Sequence, residues 1–67
     1  MTLSDVEERI ASIRRHAARD DFEAAHSEED ELLAEVLQAI AEGVENAPAL
    51  AKAALTSLDI EFSRYCA

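Results

Sequence analysis

Ala17-Ala18-Arg19-Asp20-Asp21-Phe22 is the stretch that decides the fold. Ala17 closes one apolar stripe and Phe22 opens the next, with neither Gly nor Pro between them. Five positions of α-helix turn through about 500°, which leaves the two stripes about 140° apart. One unbroken helix would therefore bury opposite faces. Asp20 and Asp21 are good N-caps, and Asp20 with Glu23 sets a carboxylate three residues after a cap, so the spacing predicts a tight break here.

Upstream of the break, Leu3, Val6, Ile10, Ile13 and Ala17 recur at spacings of three and four, a seam suited to one packing face. Ser4 and Glu7 have the capping-box form, and Arg14, Arg15 and Arg19 lie near the far end, where cations favour the helix dipole. These signals predict a first helix over about 5–19. Downstream, Phe22, Ala25, Leu33, Val36, Leu37 and Ile40 mark the apolar face of a second helix over about 21–42, with Gly43 as its C-cap. Glu28, Glu31, Glu35 and Glu42 are expected on its solvent face.

Asn46 and Pro48 predict the start of a third helix, over about 47–57, carrying Leu50, Ala51, Ala54, Leu55 and Leu58. The tail, 58–65, reads two ways. Leu55, Leu58, Phe62 and Tyr65 fit a helix broken near Thr56-Ser57, whereas Leu58, Ile60 and Phe62 alternate like a strand. The context favours helix. The expected fold class is all-α: a helical hairpin plus a third C-terminal helix, one small domain over 1–67, paired as a dimer.

The dimer expectation comes from size. A chain of 67 residues buries a modest share of its surface, and proteins this small recruit disulfides, metals or a second subunit. Cys66 is the one cysteine, so no internal disulfide can form, and no Cys/His cluster has zinc spacing. Aromatic residues are limited to Phe22, Phe62 and Tyr65, while alanine abounds and suits close helix contacts. The partner expected is a second copy or another protein, with no cofactor and no metal.

The net charge of −9 is concentrated: residues 20–46 hold ten acids and no Lys or Arg. Such a segment repels phosphate, which argues against direct nucleic-acid binding and against anionic membranes. No apolar run approaches the roughly 20 residues that span a bilayer. The acidic N-terminus has neither a basic region nor an apolar one behind it, so the expected compartment is the cytoplasm.

One polar constellation stands inside the second stripe. With Phe22 at 0°, Ile40 falls near 0°, Leu33 at about +20° and Val36 at about −40°. His26 falls at about +40°, Glu29 at about −20° and Asp30 at about +80°. Three readings stay open: a buried hydrogen-bonded pair that is structural, an exposed end of the stripe, or a His–carboxylate pair serving as general base or metal ligand. His16 is expected at the edge of the first helix, in solvent. Arg64-Tyr65 can anchor the tail by packing and hydrogen bonding. Residues expected to carry contact are Phe22, Leu33, Phe62 and Tyr65 with His26, Glu29 and Asp30.

Catalytic signatures are missing: Gly43 is the single glycine, so there is no phosphate loop, and no nucleophile elbow or Cys-x-x-Cys motif is present. Glu28-Glu29-Asp30-Glu31 lacks calcium-loop spacing. The segment Asp21-Phe22-Glu23-Ala24-Ala25-His26-Ser27-Glu28-Glu29-Asp30-Glu31-Leu32, with the ending Ile60-Glu61-Phe62-Ser63-Arg64-Tyr65-Cys66-Ala67, resembles small helical proteins of actinobacteria and their phages. The resemblance spans about residues 20–67 and implies a phage or prophage setting without implying an activity.

Three function classes follow. The first is a non-enzymatic interaction or regulatory module acting by helix-mediated self-association or docking. The second is an acidic DNA mimic that occupies a nucleic-acid-binding protein. The third is a small metal-dependent or acid–base enzyme using His26 with Glu29 or Asp30.

Overall fold

In a computed structural model, which describes residues 1–64, the chain is all-helical, with no strand among the described residues. Helix α1 spans Leu3–Ala18, α2 spans Phe22–Ala41 and α3 spans Ala47–Leu55, followed by a 3₁₀ turn at Thr56–Asp59. Helices α1 and α2 form the hairpin, and α3 packs across both. They run antiparallel: His16 lies beside Asp21 and Glu28 near the junction, while Arg9 reaches Glu28, Glu31 and Glu35 further along.

The helix α1 starts earlier than the Ser4 cap implied. Thr2 is the N-cap: its hydroxyl accepts from the Asp5 N–H at 3.1 Å, and the Asp5 carboxylate accepts from the Thr2 N–H at 2.8 Å. Asp at the third helical position closes the box as Glu would. Donation from the Thr2 backbone N–H, and after it from the Thr2 side chain, holds the Asp5 carboxyl below its ordinary value.

The break falls where the phase change placed it. Asp20 takes a left-handed conformation (φ 58°), its N–H donates to the Ala17 carbonyl, and the Asp21 N–H donates to the His16 carbonyl. That pair of bonds is a Schellman motif. Asp21, not Asp20, then caps α2, accepting from the Ala24 N–H at 3.4 Å. The far end of α2 repeats the same motif: Gly43 (φ 89°) bonds to Ile40 and Val44 bonds to Ala39.

The core is small and aliphatic. Val6, Ile10 and Ile13 of α1 meet Ala25, Leu32 and Val36 of α2, Leu50 and Ala54 of α3, and Ile60. Two expectations about α2 are corrected. Leu32 is fully buried, and Leu37 is 67% exposed. The buried line runs Ala25, Glu29, Leu32, Val36, so the true stripe is centred at about −50° on the wheel rather than on Phe22. On α3, Leu55 and Leu58 likewise face out.

The helical reading of the tail is also corrected over the described residues. Thr56 Oγ1 donates to the Ala53 carbonyl at 2.6 Å, α3 tightens into the 3₁₀ turn, and Ile60 is extended (ψ 122°). Extension sends Ile60 into the core and carries Phe62 back to Phe22, a contact that a continued helix would forgo. Tyr65 lies outside the described residues, as does Cys66.

Candidate functional site

Glu29 sits in the middle of the buried line of α2 and is 3% exposed. A bare carboxylate there would be strongly disfavoured. Arg64, 35 positions along the chain, meets it in a two-pronged pair: Nε donates to Oε1 at 2.9 Å and Nη2 donates to Oε2 at 3.0 Å. The same guanidinium lies within 3.2 Å of the Ser57 and Ile60 carbonyls and 3.4 Å of the Phe62 carbonyl. The Ser57 carbonyl also accepts from the Ile60 N–H, and the Ile60 and Phe62 carbonyls lie past the 3₁₀ turn, where Arg64 supplies donors. Its Cζ also stands 3.9 Å over the Phe62 ring, which stacks on Phe22 at 6.4 Å between centroids and 20° between planes. Burial pushes the Glu29 carboxyl upward, but the Arg64 hydrogen bonds and charge, aided by the neighbouring Ser57 hydroxyl, outweigh it and hold the carboxyl below its ordinary value. Ser57 Oγ itself is buried and makes no hydrogen bond of good geometry.

Four residues thus form a latch that ties the tail to the start of α2: Phe22, Glu29, Phe62 and Arg64. His26 does not join it. Its Nδ1 lies 3.7 Å from Oδ2 of exposed Asp30, one turn on. Of the two carboxylates the spacing offers His26, the structure sets Asp30 beside it, while Glu29 pairs with Arg64 instead. A carboxylate occupied on both oxygens by a guanidinium is poorly placed to take a proton. Among the described residues, no group of three or more His, Cys, Asp or Glu side chains is arranged to hold a metal ion.

The acidic face is also less free than the sequence implied. Arg9 draws in Glu28 (3.7 Å), Glu31 (3.9 Å) and Glu35 (3.0 Å). His16, expected in solvent, is half-buried between Asp21 and Glu28, each 3.8 Å away. Glu28 Oε1 is buried there without a hydrogen bond.

On the far side of α2 lies a second feature, a groove of about 240 Å³ between α2 and α3. Leu33, Leu37 and Ile40 line it from α2, and Ala51, Ala54 and Leu55 from α3, with no polar side chain. Of these, Leu33 is the one that the sequence marks as a contact residue. Leu37 and Leu55 belong to the apolar stripes of their helices yet stand outside the core, because a helical wheel orders residues around one axis without fixing where neighbouring helices lie. The Arg64 partnership had a sequence signal: Lys52 and Arg64 are the two cations after residue 19, so a buried acid on α2 had few partners to draw on downstream.

Comparison with protein-family models, with curated proteins and with solved structures gives no match. Function has to be argued from the residues.

Proposed function

We propose that this chain is a non-enzymatic protein-interaction module that docks through the apolar face between α2 and α3. The observation that carries the reading is the exposure of large aliphatic side chains around one wholly apolar groove: Leu37 is 67% exposed and Leu55 is 57% exposed. Single exposed leucines are ordinary, whereas a contiguous apolar groove flanked by them marks a contact surface. The charge distribution agrees, since Glu28, Glu31 and Glu35 turn toward Arg9 on the α1 side and leave the groove uncharged. The phage or prophage setting implied by the resemblance is compatible with a small docking protein.

The test compares wild type with the L37E/L55E variant as tagged baits in the native host. Both side chains are largely in water already, so helicity by circular dichroism should be unchanged. Every contact that uses this face, with a second copy or with another protein, should be lost in the variant. Interactions that survive both substitutions would overturn the reading.

A further inference from the structure

We propose that the first turns of α2 form a binding site for an arginine-bearing extended segment of a basic partner protein, and that the chain's own tail fills it as a displaceable internal ligand. The inference goes beyond the docking reading and makes no use of the α2–α3 groove.

The present occupant defines what the seat accepts. Arg64 donates to both Glu29 oxygens, at 2.9 and 3.0 Å, and through Nη2 to the Ser57 and Ile60 carbonyls, each at 3.2 Å. These acceptors lie on α2, on the 3₁₀ turn and at Ile60, which sits in the core, so the tail can lift from Glu61 onward without disturbing them. Phe22 adds the ring face on which Phe62 stacks. The fixed half is thus a carboxylate, two carbonyls and an aromatic shelf. The segment it fits is aromatic-x-arginine in extended form, the spacing of Phe62 and Arg64. A planar guanidinium meets the carboxylate with two parallel bonds, which an ammonium cannot do.

The tail is held lightly. Among the described residues, no backbone-to-backbone hydrogen bond joins residues 61–64 to the helices. Their hold is the Phe22–Phe62 stack and the Arg64 contacts, which another chain can reproduce in full. Two apolar side chains would close the same space without the cost of burying charge. What the charged pair adds is selectivity: with the tail lifted, Glu29 is a nearly buried carboxylate that a guanidinium satisfies and an apolar plug does not. Ser57 Oγ, fully buried beside it, is a further polar group of the seat that Arg64 leaves without a hydrogen-bond partner.

Charge names the kind of partner. Glu29 lies within the 20–46 segment of ten acids and no Lys or Arg, in a chain of net charge −9. Such a field draws cationic segments and repels acidic ones. The tail sets Asp59 and Glu61 close to Arg64 in sequence and matches that field poorly. A basic segment with the same aromatic-x-arginine core matches it better.

Two end-blocked peptides are the probes: the chain's own residues 58–64, and the same peptide with D59K and E61K. Titrated by calorimetry into R64A, whose seat lacks its arginine, both should bind. The basic peptide should bind at least about tenfold more tightly at low salt, with that advantage shrinking as salt rises. Replacing the peptide arginine by alanine, or adding E29Q to R64A, should abolish binding. Wild type should bind the basic peptide at least about tenfold more weakly than R64A, because the tethered tail competes at an effective concentration of about 1 mM or more. L37E/L55E should bind as wild type does, which keeps this site distinct from the groove. Wild type also supplies a readout that needs no folded variant. The Arg64 Nε–H resonance, assigned by its loss in R64K, should move to the position of a free arginine as the basic peptide saturates the seat. An Arg64 resonance that stays put while the peptide binds, binding that survives E29Q, or no binding up to about 5 mM would overturn the proposal. A basic peptide that binds no better than the chain's own sequence would reserve the seat for the tail and overturn it too.

Discussion

Arg64 joins the tail to α2 through its two-pronged contact with Glu29. Glu29 is 3% exposed, so truncating its partner leaves a buried carboxylate unpaired. Removing one member of a buried pair costs about 3–5 kcal/mol, and the partial exposure of Arg64 moderates this to about 2–4 kcal/mol. A chain of this length has roughly 3–10 kcal/mol in total, so R64A should lose a large part of its folded population in a urea titration. R64K keeps the charge but not the fork and should fall between. The double variant E29L/R64L should recover most of the loss, since two apolar residues leave no orphaned charge. A double variant as unstable as R64A would show that the latch acts through something other than this pair. The pH dependence has a definite sign. Folding lowers the Glu29 pKa, so the unfolded chain binds more protons in acid. The contribution is complete above the ordinary carboxyl value of 4.5 and is lost as pH falls through the lower folded value. E29Q should therefore unfold at a lower baseline stability but with a shallower acid transition below about pH 4.5 than wild type.

At the scale of the elements, the two Schellman motifs differ in one residue: Gly43 occupies the left-handed position after α2, whereas Asp20 occupies it after α1. Asp tolerates that conformation at some cost, and Gly has none from a side chain. D20G should therefore raise stability by about 0.5 kcal/mol, and G43A should lower it by about 1 kcal/mol. No neighbour lies within 4 Å of a Cβ built at Gly43, so that loss would come from backbone strain alone. Thermal midpoints moving in the same direction for both variants would contradict the assignment. A cap comparison belongs here as well: T2A should melt lower than S4A, because Thr2 and not Ser4 closes the box. The helix count, the junction at Asp20-Asp21 and the Gly43 stop were all legible in the sequence, since local rules set them: phase, caps and backbone sterics. The rotation of α2 was not. Anchoring the wheel on Phe22 put Leu37 inside and missed Leu32, because Phe22 is half-buried against a tail that returns from Phe62. Glu29 was legible as a polar residue in the stripe, but its partner depended on a tail that leaves the helix at Ile60, and no local periodicity records that turn.

For the whole molecule, what matters is how little apolar surface the helices cover by themselves. Among the described residues the core holds nine apolar residues, with no aromatic ring among its fully buried side chains, and Leu37, Leu55 and Leu58 remain more than half exposed. A second copy that binds only the folded chain stabilises it by mass action. At concentrations about ten times Kd the gain is about 1.4 kcal/mol, and in a domain this small each kcal/mol moves the midpoint by about 4–8 °C. If a second copy covers the exposed leucines, the wild-type melting temperature should climb by several degrees between about 20 µM and about 500 µM. L37E/L55E, which places carboxylates on that face, should melt at one temperature across the same range. Scanning calorimetry on both proteins reads the difference directly, and the comparison also guards against a trivial cause. A midpoint that rises equally in the variant would reflect crowding or a contact elsewhere on the surface. One that stays flat in both would mean that the exposed leucines await a different protein, and that α1, α2 and α3 together carry the fold of the isolated chain.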